Sequence, residues 1–278
     1  MLSRLFTGLS LGIFFIGLLI YIPLFYIGII FSLISIYGYY EWLKVSEKPI
    51  ITNLFLMIFL MVLLLFYHTH STIVMLAYLS LIIWILVLVD MYFGSPFYKK
   101  HLSNSSSFIG MFVIISAWFM LISIGSTSSA GVIQSNQYLM FSLLNNDINI
   151  YIISLLVLVS LTDISGYFIG KIMGKKKLCK NISPNKTIAG LFGSILLPIS
   201  CYILIFNYIL AVPLLTSDLL FILLLCIFCT IGDLFISTFK RFYDVKDTGN
   251  ILPGHGGVLD RLDSYLPTIS IFQIWLFL

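Results

Sequence analysis

Charge is the property that this sequence has least of. Its 15 Lys and Arg and 11 Asp and Glu residues make up only 9% of 278 residues, whereas a water-soluble domain is about 25% charged. Cysteine is also rare, and the four cysteines do not resemble a disulfide framework. Cys226 and Cys229 form a CxxC pair, but it lies within a predicted helical span and no second ligand pair accompanies it, so we expect these cysteines to pack in the interior rather than bind zinc. No internal repeat is visible. These absences exclude a soluble globular domain and a disulfide-stabilised secreted domain.

Long apolar runs are the main feature that remains. The chain is 60% hydrophobic, and a run of about 20 apolar residues, at 1.5 Å rise per residue, crosses the hydrocarbon core of a membrane. We therefore predict an all-α, polytopic integral membrane protein with about nine transmembrane helices. The predicted spans are two within 5–40 that turn near Tyr21–Pro23, then 51–67, 71–89, 107–125, 150–170, 187–210, 214–236, and 258 to the end with a kink at Pro267.

The basic residues fall on one side of this arrangement. With nine spans, the N-terminus and the loops around 41–50, 90–106, 171–186 and 237–257 share one face, and every Lys and Arg lies there or at a helix end that borders it. This distribution indicates a cytoplasmic face. The net charge of +4 is therefore a topology signal that favours anionic partners at this face, without indicating nucleic acid. The short loops favour a bacterial plasma membrane.

Three acidic residues surround the most highly charged loop. Asp233 lies about one turn inside an apolar run, where an ionised carboxylate needs a polar cavity and a cation. Asp260 and Asp263 follow the loop at i and i+3, a spacing that lets both point the same way on a helix. Three carboxylates at one depth would repel one another unless a cation neutralised them, and oxygen ligands suit Mg²⁺. We therefore predict these three aspartates as Mg²⁺ ligands.

The loop between these acids carries glycines and cations. Gly254, Gly256 and Gly257 permit backbone geometries that are closed to other residues, and their amides can cradle a phosphate. Carboxylates for a divalent metal beside Lys and Arg are typical of phosphoryl or nucleotidyl transfer. The alternative is a solvated loop whose charges only fix the topology. The residues that we predict to be catalytic are Ser237, Lys240, Arg241, Lys246, Asp247, His255 and Arg261.

A second polar segment lies between the spans 150–170 and 187–210. Asp163 is another acid within a span, and lysines follow it in a basic loop. The letters SPNKT introduce the next helix, with Ser183 as its N-cap before Pro184. This segment either fixes the topology or supplies a second cationic wall for phosphates. By contrast, we expect Glu41 to be an interfacial residue beside an aromatic belt rather than a catalytic one.

The run STFKRFYDVKDTGNILPGHGGVLDRLDS resembles the signature of the phosphatidate cytidylyltransferase family, also called CDP-diacylglycerol synthases. The elements of that signature are Ser237, Lys240, Arg241, Lys246, Asp247, Pro253, His255, Gly256, Gly257, Asp260, Arg261 and Asp263. The run DISGYFIGKIMGKKKLCKNISPNKTIAG resembles the second cytoplasmic segment of the same family. One position departs from it, because family members often have Glu where this chain has Ala189.

The resemblance implies a function and a division of the chain. It implies conversion of CTP and phosphatidate to CDP-diacylglycerol and pyrophosphate, with Mg²⁺ and possible involvement of a second cation such as K⁺. Residues 1–149 would form about five N-terminal transmembrane helices without a recognisable motif, and residues 150–278 a catalytic unit with cytoplasmic loops 171–186 and 237–257. A homodimer is left open. The expected substrate-binding residues are Lys171, Ser183, Lys186, Thr187, Gly256 and Gly257.

Two other functions stay open at this point. A CTP-dependent kinase of lipids or polyprenols would use the same residue types but would release CDP rather than pyrophosphate. A membrane transporter or flippase also places acids in its spans, but it would be expected to show inverted repeats and broken helices in both halves. The concentration of charge on one side and near the C-terminus favours the nucleotidyltransferase.

Overall fold

The structure, a computed structural model, is helical over most of the chain. It describes residues 17, 21–22, 24–93, 96–129, 148–179, 182–209, 214–251 and 256–277. The helices are α1 (Leu24–Val45), α2 (Ile50–Phe66), α3 (His70–Phe93), α4 (Pro96–Ser129), α5 (Ile148–Met173), α6 (Ile188–Leu204), α7 (Thr216–Phe242), α8 (Leu259–Leu262) and α9 (Tyr265–Phe277). A short antiparallel sheet of β1 (Lys177–Cys179) and β2 (Ser183–Thr187) joins α5 to α6.

Five of these helices are long and apolar enough to cross a membrane. They contain the segments His70–Val89, Ser105–Ile124, Ile152–Met173, Ile188–Tyr208 and Thr216–Phe242. These segments match five of the predicted spans, and α2 is a shorter apolar helix at the position of a sixth. The all-α membrane class is therefore confirmed. The number of nine spans stays a prediction, because most of residues 1–23 and all of 130–147 lie outside the described part of the chain.

The C-terminal segment differs from the single kinked helix that the sequence predicts. The helix breaks at Asp263 and Ser264, between α8 and α9, rather than at Pro267. Pro267 is the third residue of α9, and a proline in the first turn of a helix displaces no helical hydrogen bond. The break lies against α7, where a Cβ on Gly232 would meet the backbone of Asp263 and the ring of Pro267.

Aromatic packing joins the first helix to the seventh. Trp42 of α1 is fully buried, and its ring stacks on Phe239 of α7 with 3.8 Å between the ring centroids. The indole N–H of Trp42 donates to the carbonyl oxygen of Ser106 in α4 at 2.9 Å, so the buried polar atom has a partner. The N-terminal helices therefore brace α7, the helix that carries Asp233.

Helices α5 and α6 approach each other along a seam of glycines. Small residues let helix backbones come close within a membrane. A Cβ on Gly190 would lie 2.7 Å from the carbonyl oxygen of Gly166 and 3.3 Å from the Cα of Gly170. A Cβ on Gly193 would likewise collide with Ile169. This seam fixes the start of α6, and with it the β1–β2 hairpin, against α5.

The glycine seam predicts a sharp difference between two Gly→Ala substitutions. Gly190→Ala should lower the free energy of unfolding by about 1–3 kcal/mol, because a backbone oxygen cannot yield to the new methyl group. Gly28→Ala in α1 is the matched control, since nothing lies within 4 Å of its Cβ position. Thermal unfolding in detergent measures both. Equal melting temperatures for Gly190→Ala and wild type would contradict the seam.

Candidate active site

Three aspartates from separate elements lie near one another. Asp163 is exposed on α5, Asp233 is partly buried on α7, and Asp263 is partly buried at the break between α8 and α9. Their carboxylates interact electrostatically, and Ser264 Oγ donates to Asp163 Oδ1 at 3.5 Å. We refer to these three residues as the carboxylate cluster. Two of them lie within apolar candidate spans, so the cluster places negative charge inside a hydrophobic bundle.

One lysine contacts the carboxylate cluster directly. Lys186 Nζ pairs with Asp233 Oδ2 at 2.5 Å, and Ser237 Oγ donates to Asp233 Oδ1 at 3.3 Å. In the part of the chain that the structure describes, this ion pair and the nearby charge of Arg261 do not balance three carboxylates, and the excess negative charge favours a further cationic ligand. The three carboxylates do not yet converge on one point: over the ranges that the structure describes, no group of three or more His, Cys, Asp or Glu is spaced to hold a metal ion.

The β1–β2 hairpin brings Lys186 to the cluster. Its strands pair Lys177 with Thr187 and Cys179 with Ser183, and α6 begins directly after it. Thr187, whose Oγ1 accepts from Gly190 N at 3.1 Å, is the N-cap of α6. The prediction that Ser183 caps this helix is therefore wrong, because Ser183 is the first residue of a strand.

Asp260 forms a separate network with the charged loop. We call residues 243–258 the signature loop, of which the structure describes 243–251 and 256–258. Asp260 accepts hydrogen bonds from Lys240 Nζ at 2.6 Å, from Thr248 N at 2.9 Å and from Gly257 N at 2.9 Å. Burial raises the pKa of Asp260, but the bonds from Lys240 and the two amides outweigh it and hold this pKa below its ordinary value. Asp260, in its ionised form, therefore holds the signature loop in place.

This arrangement differs from the predicted grouping of the acids. The sequence placed Asp260 beside Asp263 by helical i, i+3 spacing, but Lys240 and the amides of Thr248 and Gly257 engage the carboxylate of Asp260 in a different network. Asp163, which the sequence analysis noted but did not assign as a metal ligand, lies with Asp233 and Asp263 instead. Likewise Lys240, predicted to hold phosphates, makes an ion pair with Asp260.

Several other predicted residues lie at the surface of the same face. Arg241 is exposed, and its Nε donates to the carbonyl oxygen of Ile182 in the hairpin at 3.3 Å. Lys246 and Asp247 are exposed in the signature loop. Arg261 is exposed and interacts electrostatically with Asp163. Of these residues, Arg261 is the one whose charge acts on the carboxylate cluster.

The remaining predictions concern one lysine, two glycines and a histidine. Lys171, at the end of α5, is exposed, with its Nζ 5.9 Å from the ring centroid of Tyr167. Gly256 has φ +86°, a backbone conformation that glycine adopts readily. Gly257 is buried and donates to Asp260. His255 lies outside the described residues, and its role stays a prediction.

One acid that the sequence analysis set aside belongs to this region. Glu41 of α1 is 1% exposed rather than interfacial. Its Oε2 accepts from Leu259 N at 2.8 Å and lies 3.1 Å from Thr248 Oγ1. The signal in the sequence was an acid within an apolar helix, but its partners lie more than 200 residues away.

Comparison with known proteins identifies a matching family and several similar bacterial proteins. The sequence model described as "Cytidylyltransferase family" matches residues 2–278. A protein named phosphatidate cytidylyltransferase from Bacillus subtilis is 49% identical over 117 residues, which are 42% of this chain and 43% of that protein. Proteins of the same name from Staphylococcus epidermidis and Staphylococcus aureus are 44% identical over 126 and 131 residues, each alignment covering 45% of this chain and 48% of the relative. Each of these alignments spans less than half the length of the relative.

The Lys240–Asp260 pair predicts non-additive effects on stability. Lys240→Met or Asp260→Asn alone should each lower the free energy of unfolding by about 3 kcal/mol, because each leaves a buried charge without its partner. The double variant should lose clearly less than the sum of the two. Unfolding in detergent, analysed as a double-mutant cycle, measures this coupling.

The same chemical changes at exposed positions of the signature loop serve as controls. Lys246→Met and Asp247→Asn should each shift the free energy of unfolding by no more than about 0.5 kcal/mol, since both side chains are exposed. Strict additivity of Lys240→Met and Asp260→Asn would show that the pair contributes no specific interaction.

Proposed function

The chain belongs to the cytidylyltransferase family, and on this premise we propose that it is a membrane nucleotidyltransferase that converts CTP and phosphatidate into CDP-diacylglycerol and pyrophosphate. The observation that carries the proposal is the carboxylate cluster of Asp163, Asp233 and Asp263 within an apolar helical bundle, next to a basic hairpin. The names of the bacterial relatives agree with this activity.

The position of the cluster suits two substrates that differ in solubility. CTP is a water-borne polyanion, whereas the acyl chains of phosphatidate remain in the bilayer, so the site must be open to both phases. Asp163 is exposed within the candidate span Ile152–Met173, and Tyr167 and Phe168 next to it are about three-fifths exposed at 62% and 61%. The lysines of the hairpin and of α5 lie toward one end of that span. We propose that this end faces the cytoplasm of a bacterial cell.

The proposed reaction joins two anions. A phosphate oxygen of phosphatidate attacks the α-phosphorus of CTP, a new P–O bond forms, and the bond between the α- and β-phosphates breaks with release of pyrophosphate. The nucleophile is already an anion, so no residue has to remove a proton. The task of the protein is to hold both phosphates in line and to offset charge on the leaving group. Lys186, Arg241 and Lys246 supply that positive charge, and Lys171 and Arg261 extend it along the same face.

The donor chemistry of the cluster fits Mg²⁺. Three carboxylates with one direct lysine partner offer hard oxygen ligands and an excess of negative charge, which is what this ion requires. In this proposal Asp163, Asp233 and Asp263 would hold Mg²⁺, which when bound would neutralise phosphate charge. Asp260 would not take part, since its oxygens are engaged by Lys240 and backbone amides. A second cation such as K⁺ and a homodimer stay predictions.

The identity of the products tests the proposed function directly. Purified protein incubated with CTP and phosphatidate should release pyrophosphate and form CDP-diacylglycerol, and removal of Mg²⁺ should abolish both. A kinase would instead release CDP and leave no pyrophosphate. Formation of CDP with a phosphorylated lipid, or no reaction with CTP and phosphatidate, would contradict the proposal.

Variants of single acids test the role of the cluster. Asp263→Asn and Asp163→Asn should remain folded and lose at least about 100-fold in kcat, the loss typical of removing one electrostatic contact in the transition state. Asp218→Asn is the control, because Asp218 is a buried acid at the opposite end of α7 whose Oδ2 accepts from Leu215 N at 2.9 Å, a bond that Asn can keep. Near-normal turnover of Asp163→Asn would remove that residue from the proposed set.

A further inference from the structure

Glu41 connects the N-terminal half of the chain to the signature loop. It is buried in α1, and its Oε2 accepts from the amide of Leu259, the first residue of α8, at 2.8 Å. Thr248 Oγ1 lies 3.1 Å from the same oxygen. These bonds bridge 218 and 207 residues of sequence. A buried carboxylate needs hydrogen-bond donors, and here these donors belong to the signature loop and the start of α8.

The loop is shaped to receive this side chain. A Cβ on Gly249 would collide with Glu41 Oε1, and a Cβ on Gly257 would collide with Glu41 Oε2 and with Thr248 Oγ1. Both glycines therefore leave the space that the carboxylate occupies. Glu41 Oε1 is buried without a hydrogen-bond partner among the described residues, so the bonds of Oε2 are what hold the group in this slot.

Thr248 connects Glu41 to the Asp260 network. Its hydroxyl oxygen lies 3.1 Å from Glu41 Oε2 and 3.1 Å from Asp260 Oδ2, and its amide also donates to Asp260. Asp260 in turn pairs with Lys240 of α7. The contacts therefore run from α1 through the loop to α7, and they restrain the loop from two sides.

The restrained loop carries residues of the proposed site. Lys246 and Asp247 directly precede Thr248, and Gly256 precedes Gly257. Displacing Thr248 or Gly257 would therefore move the backbone that presents these residues. A displacement of about 1 Å far from the reacting atoms can cost about 100-fold in rate. We propose that Glu41 is a positioning residue, which holds the described parts of the signature loop, 243–251 and 256–258, in their active conformation through Thr248 and Leu259 without touching substrate.

Hydrogen exchange of the loop tests this proposal independently of activity. In Glu41→Ala, backbone amides in peptides covering 245–251 and 256–262 should exchange roughly tenfold faster than in wild type, while peptides from α5 and α6 should be unchanged. Glu47→Ala is the matched control, because Glu47 is an exposed acid six residues later. Unchanged exchange in Glu41→Ala would overturn the proposal.

Turnover adds a readout that a purely structural role would not produce. The kcat of Glu41→Ala should fall roughly 10- to 100-fold, with a smaller change in KM for CTP. Glu41→Gln should retain most of kcat, since an amide oxygen can accept the same two hydrogen bonds. If Glu41→Gln were as impaired as Glu41→Ala while its loop stayed protected, the charge itself would be acting, and the positioning role would be overturned.

A second pair of variants covers the case in which Glu41→Ala does not fold. Thr248→Val removes the hydroxyl between the two carboxylates, and Thr248→Ser retains it; only the first should speed exchange in the loop and lower kcat. Equal behaviour of the two would overturn the proposal. The measurement of kcat rests on the proposed function, whereas the measurement of hydrogen exchange does not. Absence of pyrophosphate release by the wild type would therefore defeat the proposed function alone.

Discussion

The arrangement of this protein depends on how an apolar bundle accommodates a few carboxylates. An ionised carboxylate away from water is costly unless cations or hydrogen-bond donors surround it. The described acids meet this requirement to different degrees. Asp260 accepts bonds from a lysine and two backbone amides, whereas the carboxylate cluster has one direct ion pair for three acids. The first condition is typical of a structural carboxylate, and the second of acids at candidate functional sites.

Backbone packing supports this difference. The glycine seam between α5 and α6 places Gly190 against Gly166 and Gly170, and Thr187 caps α6 at the same point. Lys186, the residue before the cap, is thereby held beside Asp233. A lysine on a flexible loop would lose backbone entropy as well as side-chain entropy on forming one ion pair. The hairpin and the seam reduce that cost, because they fix the backbone of Lys186 before the pair forms.

The sequence predicted the class of fold more reliably than the contacts of the candidate site. Apolar length predicted about nine spans, of which five match candidate membrane helices, and residue types predicted that acids and cations would share one face. Helical spacing did not predict the separate partners of Asp260 and Asp263, because periodicity does not report that Lys240 and two loop amides engage Asp260. Ser183 resembles an N-cap because Pro184 follows it, but in the structure Ser183 pairs with Cys179 in the β1–β2 sheet. Glu41 could not be placed, since no local pattern reports partners more than 200 residues away.

Helix α7 connects the Asp260 network to the carboxylate cluster. Asp233, Ser237 and Lys240 follow one another at i, i+4 and i+7, so they lie on one face of a single helix. Asp233 belongs to the carboxylate cluster, and Lys240 holds Asp260 and through it the signature loop. Seven residues of helix fix the distance between the two networks at about 10 Å.

Trp42 of α1 stacks on Phe239 of the same helix, and Glu41, its neighbour in sequence, binds the loop. The first helix therefore contacts both α7 and the signature loop. The position of the carboxylate cluster relative to the loop consequently depends on the N-terminal half of the chain as well as on the residues that would contact substrate.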